Sequence, residues 1–167
     1  MIYVAHELKQ KHIDFIRSKQ NWVFLNDYTD PVNQNVMTFD GPYTSLLEGA
    51  DQLKIPFEVF VFWGNLGTDR LKNTDQRFCT WDETKQLEKY GARLQWHTRT
   101  HRRLTEIDAQ EQEFDIIPAF ECEWFAYPYG DFNESAKEIT KKYYRGAVSV
   151  IQGNDTDVYC LNRSDIS

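Results

Sequence analysis

The segment "FEVFVFW", Phe57 to Trp63, is apolar at nearly every position. A strand with one wet face alternates apolar and polar residues, whereas a strand covered on both faces reads as an almost continuous apolar run. The segment therefore predicts a central, buried strand. Few architectures can supply cover on both sides of such a strand, and the rest of the chain must be read for what provides it.

The flanking segments alternate in period. "VAHELKQKHIDFIRSK" (4–19) places Leu8, Ile13 and Ile16 on one side and predicts a helix. "NWVFL" (Asn21 to Leu25) and "VMTF" (Val36 to Phe39) read as strands, with the turn chemistry of "NDYTDPVNQN" between them. Tyr43 to Lys54 carries Leu46, Leu47, Ala50 and Leu53 at helical spacing. "TWDETKQLEKYGA" opens on a capping box, Thr80 to Glu83, and stops at Gly91. "RLQWH" predicts a strand ending at His97, and "TEIDAQEQEFD" a short helix with Thr105 as N-cap. "EWFAY" is a strand, "NESAKEITKKYY" a helix, and "GAVSV" and "DVYCL" are the last two strands. Strands and helices alternating over short links imply an α/β fold, either a parallel sheet or its barrel-like closure. A length of 167 residues suits a single domain over 1–167.

Charge narrows the partners. The net charge is −7 and the only basic knot is Arg99, Arg102 and Arg103, so nucleic acid is not expected. No apolar run reaches signal-peptide or membrane-span length. The three cysteines, Cys79, Cys122 and Cys160, form no CxxC pair and read as small buried residues. Together these features give a cytoplasmic location as the expectation.

Unusual residues gather where strands are predicted to end: Asp40 after "VMTF", His97 after "RLQW", and Pro128-Tyr129-Gly130 after "WFAY". In parallel α/β folds, sites are built from loops at the carboxyl ends of strands. His97 and His101, four residues apart, can share one borderline metal ion on a turn of helix, with Asp40 as a carboxylate ligand. Such a metal lowers the pKa of a water and polarises a carbonyl. The same pair also fits two polar residues on a surface helix, and the spacing alone leaves both readings open.

The order "MTFDG", "FVFWGNLG", "TWDETKQLEKYG", "HTRTHRRLT", "FAYPYGDFNESAKEITKK" and "LNR" resembles the NodB-type polysaccharide deacetylases, carbohydrate esterase family 4, over Val36 to Arg163. Members carry "TFDDG", "H-[ST]-x-x-H" and "x-x-P-Y-G" in that order. The resemblance implies a deformed, short (β/α) barrel with mostly parallel strands. It implies a divalent metal, most often zinc, held by one Asp and two His, which here are Asp40, His97 and His101. It implies hydrolytic removal of acetyl groups from an N-acetylated or O-acetylated carbohydrate. Backbone near Tyr129 would help hold the oxyanion, flanked by Pro128 and Gly130, and Arg163 matches a late basic residue that orients the base carboxylate.

The chain departs from the pattern in three places. "TFDG" has one aspartate where members have two, a general base and then a metal ligand. Asp40 matches the base if aligned from Thr-Phe, and the ligand if aligned on the glycine. Losing a base costs about 10²–10⁴ in rate, whereas the metal itself supplies hydroxide near neutral pH, so the ligand role is preferred. Ala126 stands where members often place an Arg, and no histidine follows His101 to act as a late general acid. The alternative is therefore a catalytically silent relative that binds glycan without turnover. Trp96 replaces the small residue usual before the first histidine and is expected to narrow the site. Asp131 is expected to cap a helix, and His6 and His12, placed on the first helix, receive no role. Nothing in these motifs fixes an oligomeric state.

Overall fold

Seven strands hydrogen-bond in chain order as a closed barrel: β1 (Ile2–Ala5), β2 (Val36–Asp40), β3 (Phe57–Val61), β4 (Ala92–Trp96), β5 (Trp124–Ala126), β6 (Gly146–Ser149) and β7 (Leu161–Asp165). This computed structural model describes residues 1–68 and 76–167. The pairing is parallel, with Ala5 opposite Phe39, Trp96 opposite Phe125, Ala126 opposite Val148 and Ser149 opposite Asn162. The α-helices α1 (Gln10–Arg17), α2 (Thr44–Gly49), α3 (Trp81–Gln86), α4 (Ala109–Ile116) and α5 (Glu134–Tyr143) lie in the connections. The fold is the α/β barrel the alternation and the resemblance imply. All of β3 is buried, as its apolar run requires. Its one charged residue, Glu58, accepts the Leu25 N–H at 2.9 Å, the kind of donor a buried carboxylate needs. Among the described residues, no helix is long and apolar enough to cross a membrane.

The chain divides into two compact units: Met1–Val59 with Asn65–Leu94 and Ser164–Ser167, and Phe60–Gly64 with Gln95–Arg163. In the first unit, β1 pairs with β2 on one side, and the Ile166 N–H donates to Val4 O at 2.9 Å on the other. His12 holds this closure. Its Nδ1 accepts the Lys9 N–H, so Nε2 carries the hydrogen and donates to Ile166 O at 3.1 Å. Burial, with Lys11 nearby, lowers the His12 pKa. The capping box of α3 forms as predicted. Thr80 Oγ1 accepts the Glu83 N–H, and Glu83 Oε2 accepts the Thr80 N–H.

Glu83 also takes a two-pronged bond from Arg77, at 2.7 and 2.6 Å. The Arg77 hydrogen bonds, followed by the Thr80 N–H, pull the Glu83 pKa down to about 2. A depressed carboxyl stabilises the fold fully above its unfolded pKa, near 4.3–4.5, and the gain disappears as pH falls through the folded value. Glu83→Gln should therefore flatten the acid limb of stability between about pH 4.5 and pH 2, which urea unfolding at stepped pH reads directly.

The second unit has its own core: Trp96, Leu104, Ile116, Phe125, Tyr127, Ala136, Ile139, Tyr144 and Ala147, with Trp63 and Phe120 packed against them. Trp96 thus faces the layer of α4 and α5. Its Nε1–H donates to Asp115 O at 2.9 Å. The ring does not narrow a site, contrary to the sequence expectation.

Several predicted elements shift. The expected helix over 4–19 begins only at Gln10, because Ile2–Ala5 is a fully buried strand. "NWVFL" gives a single bridge, Trp22 to Asn35, and then a short 3₁₀ turn, with Asn21 left-handed at φ 56°. The cap of α4 is Asp108, whose Oδ1 accepts the Glu111 N–H, not Thr105. Asn133, not Asp131, caps α5. "DVYCL" is mostly turn, organised by Asn154 Oδ1 accepting the N–H groups of Thr156 and Asp157, and β7 starts at Leu161.

Candidate active site

The His97 N–H donates to Val61 O at 3.0 Å, so the β3–β4 ladder runs one residue past Trp96. Side chains alternate along a strand, and with Trp96 in the helix-side core His97 points to the other face. Beyond it the chain does not turn into a helix, as the i, i+4 spacing suggested. Thr98 and His101 are left-handed, at φ 69° and 55°. That conformation is uncommon for any side chain and rare for a β-branched one, and costs about 1–3 kcal/mol where it occurs.

Three bonds offset the strain. The Trp63 N–H donates to Thr98 O at 3.1 Å, the Gly64 N–H to Arg99 O at 2.9 Å, and Thr98 Oγ1 accepts the His101 N–H at 3.0 Å. Gly64 is required here, since a Cβ would lie 2.3 Å from Arg99 O. The outcome is an imidazole pair with His97 Nε2 and His101 Nε2 3.1 Å apart. His97 Nδ1 lies 2.8 Å from Ala126 O, and a carbonyl only accepts, so Nδ1 carries the hydrogen and Nε2 presents its lone pair.

Two nitrogens each about 2.0–2.1 Å from one ion stand roughly 2.8–3.4 Å apart across octahedral to tetrahedral angles. The pair fits that span, and the fixed tautomer is the one a metal ligand needs. Without a cation, the same spacing suits an N–H···N bond from His101. Among the described residues, no three His, Cys, Asp or Glu side chains form a ready group for a metal.

Aromatic rings frame His101. Phe62 and Tyr129 each lie 4.8 Å from it, centroid to centroid, and the Arg103 guanidinium sits 4.4 Å over Tyr129. Tyr129 is half exposed and left-handed at φ 59°. Its neighbours shape the turn. Pro128 is buried, and Gly130, at φ 68°, lies so close to Val150 that a Cβ would meet Val150 N at 2.8 Å. Asp131, expected as a cap, instead accepts Thr105 Oγ1–H at 2.6 Å and faces Arg103 at 3.4 Å. Arg163 is buried, with its guanidinium 5.4 Å over the Phe60 ring.

The other predicted residue belongs to the first unit. Asp40 ends β2 and is buried. Gly41 follows at φ 93°, where a Cβ would meet the rings of Phe78 and Tyr43 at 2.8 and 3.0 Å. This crowding gives the second half of "DG" a steric reason. The parallel register sets Ala5, the residue before His6, opposite Phe39, the residue before Asp40. His6 Nδ1 is 2.9 Å from Ser167 Oγ. Partial burial raises the pKa of Asp165, at the end of β7. Bonds from Ser167 and the His6 charge outweigh that, and the Asp40 carboxylate opposes them, leaving a net lowering. The sequence reading missed His6 because it drew the apolar tetrad Ile2–Ala5 into a helix. Read as a strand, that tetrad would have set His6 at a strand end like Asp40 and His97. The thiols offer no nucleophile, since burial pushes Cys79 up to about 11 and Cys122 up to about 12.

The family model described as polysaccharide deacetylase matches residues 28–146. The chain belongs to the polysaccharide deacetylase family. The matched residues include Asp40, His97, His101 and Tyr129. Solved structures, two of them described as deacetylases, share its fold. The Streptococcus pyogenes deacetylase PplD, solved in complex with acetate, superposes with a TM-score of 0.76 at 15% identity, over 99% of this chain and 91% of that one. IcaB from Ammonifex degensii gives 0.71 at 16%, over 100% and 91%. BC0361, a polysaccharide deacetylase from Bacillus cereus, gives 0.72 at 16%, over 99% of this chain but 63% of that one. At such identities the likeness is one of fold. No curated protein matches the sequence. Family and fold together point to a carbohydrate deacetylase, a hydrolase for an acetylated carbohydrate. NodB-type deacetylases are generally metal-dependent.

Proposed function

We propose that this polysaccharide deacetylase is an active, metal-dependent hydrolase that releases acetate from an N-acetylated or O-acetylated carbohydrate. The carrying observation is the convergence of His97 Nε2 and His101 Nε2 at 3.1 Å, with the His97 tautomer fixed by Ala126 O. A bound divalent ion, zinc by the softness of the donors, supplies Lewis acidity at the acetyl carbonyl and a more acidic water. Aligned on its glycine, the family motif gives Asp40 as the carboxylate ligand, the role preferred above, and its burial at the end of β2 is compatible with it.

The turn over Pro128–Gly130 carries Tyr129, whose ring lies 4.8 Å from that of His101, which supports a part for this turn in steadying the oxyanion. As the C–N bond of an acetamide breaks, the departing amine needs a proton. No histidine follows His101 in the sequence to supply it. The silent, glycan-binding reading draws its support from the single aspartate and from Ala126.

Acetate release from N-acetylglucosamine oligomers and from O-acetylated glycans tests the choice. Release should require added zinc or cobalt, vanish with chelator and return on replenishment. Glycan binding with no acetate released under any metal would establish the silent reading instead.

A further inference from the structure

One buried carboxylate of the second unit takes no part in the chemistry above. Asp115, near the end of α4, is wholly inaccessible to solvent. Its Oδ2 accepts Thr100 Oγ1–H at 2.6 Å and faces Arg102 Nε at 3.6 Å, while its Oδ1 has no hydrogen-bond partner among the described residues. For packing alone this is a poor choice, since an apolar residue of similar volume there would avoid the desolvation of a charge. The neighbours of Asp115 on α4 reach to the same loop. Phe114 O accepts Arg99 Nε–H at 3.0 Å, and Glu111 pairs with Arg102 Nη1 at 2.7 Å. Arg102 Nε in turn donates to Thr100 Oγ1 at 3.0 Å. So Arg99, Thr100 and Arg102, the residues that flank and separate His97 and His101, are all tied to one face of α4. The loop needs such ties, because its two left-handed residues, Thr98 and His101, persist only where the surroundings over-determine them.

We propose that Asp115, acting through the Thr100 hydroxyl and Arg102, is the positioning residue that holds His101 Nε2 against His97 Nε2 and thereby sets affinity for a divalent cation. Asp115 is bonded to neither imidazole, and the inference rests on the reading of the histidine pair as metal ligands. Outer-shell partners of metal ligands typically change affinity 10–100-fold.

The test is a zinc competition titration against a chromophoric chelator on the full chain, with melting of the metal-free protein measured in parallel. Asp115→Asn should raise the zinc Kd 10–100-fold, and so should Thr100→Val. Thr100→Ser, which keeps the hydroxyl, should stay near the parent. The double variant should be little worse than either single, because both act through one bond. A cobalt-loaded parent should show a visible absorption spectrum that Asp115→Asn alters. If the parent binds zinc and both Asp115→Asn and Thr100→Val bind within twofold of it, the positioning role is overturned while the metal reading stands. A lowered melting point with unchanged zinc affinity overturns it too, since that is the mark of a merely structural residue. A parent that takes up no zinc overturns both. Should Asp115→Asn fail to fold, Thr100→Val at its exposed position decides alone.

Discussion

His97→Ala should strip the deacetylase of its cation and of acetate release together, with zinc affinity falling by more than about 100-fold. The bound comes from comparison: a partner one shell out from a metal typically costs 10–100-fold, and removal of the ligand itself must exceed that. His97 is the better of the two imidazoles to remove, because its lone pair is already aimed. Its Nδ1–H is spent on Ala126 O at 2.8 Å, so only Nε2 is open to a metal. His101, on its strained loop, depends on Thr98, Phe62 and Tyr129 for its place. Zinc titration read beside the melting curve of the metal-free variant separates loss of a ligand from loss of the fold, which matters because His97 is buried. A His97→Ala protein that still binds one equivalent of zinc at parental affinity would refute the ligand assignment, and acetate release by that variant would refute the catalytic one.

The sequence carried the types of residue at the site better than their conformations. "H-x-x-x-H" gave the partners, but a spacing of four reads naturally as one helical turn, and the actual geometry is two left-handed residues pinned by Trp63 and Gly64 from the β3 connection. No local pattern encodes a clamp that arrives from thirty-odd residues upstream. The fold class was legible because its signals are local and repeated: the apolar run of β3, the capping box of α3, the caps that end helices. β1 was not, since four apolar residues look alike in a strand and at the start of a helix until a partner strand at Val36–Phe39 selects one. That single misreading hid His6. The glycine of "TFDG" was judged only by what it lacked, a carboxylate, yet the rings of Phe78 and Tyr43 leave no room for a side chain there. The departure from "TFDDG" is thus built into the packing around β2.

Trp96→Ala should cost about 3–5 kcal/mol of stability, the range for deleting a large buried aromatic. For a chain of this size that lowers the melting temperature by about 6–20 °C. The ring is fully buried and packs within 5.9 Å of Trp63 and 5.5 Å of Phe120, centroid to centroid, so its loss leaves a cavity lined by rigid rings that cannot collapse into it. Trp96→Phe should cost far less, chiefly the bond from Nε1 to Asp115 O, worth about 1 kcal/mol. Its zinc affinity should stay within about threefold of the parent, because that bond meets the Asp115 main chain and leaves the carboxylate on Thr100. Guanidinium unfolding and zinc titration on the same preparations check both halves. The opposite pattern, unchanged stability with an altered KM for acetylated oligosaccharides, would place the Trp96 ring against substrate. It would also reverse the facing of β4, and with it the direction in which His97 points.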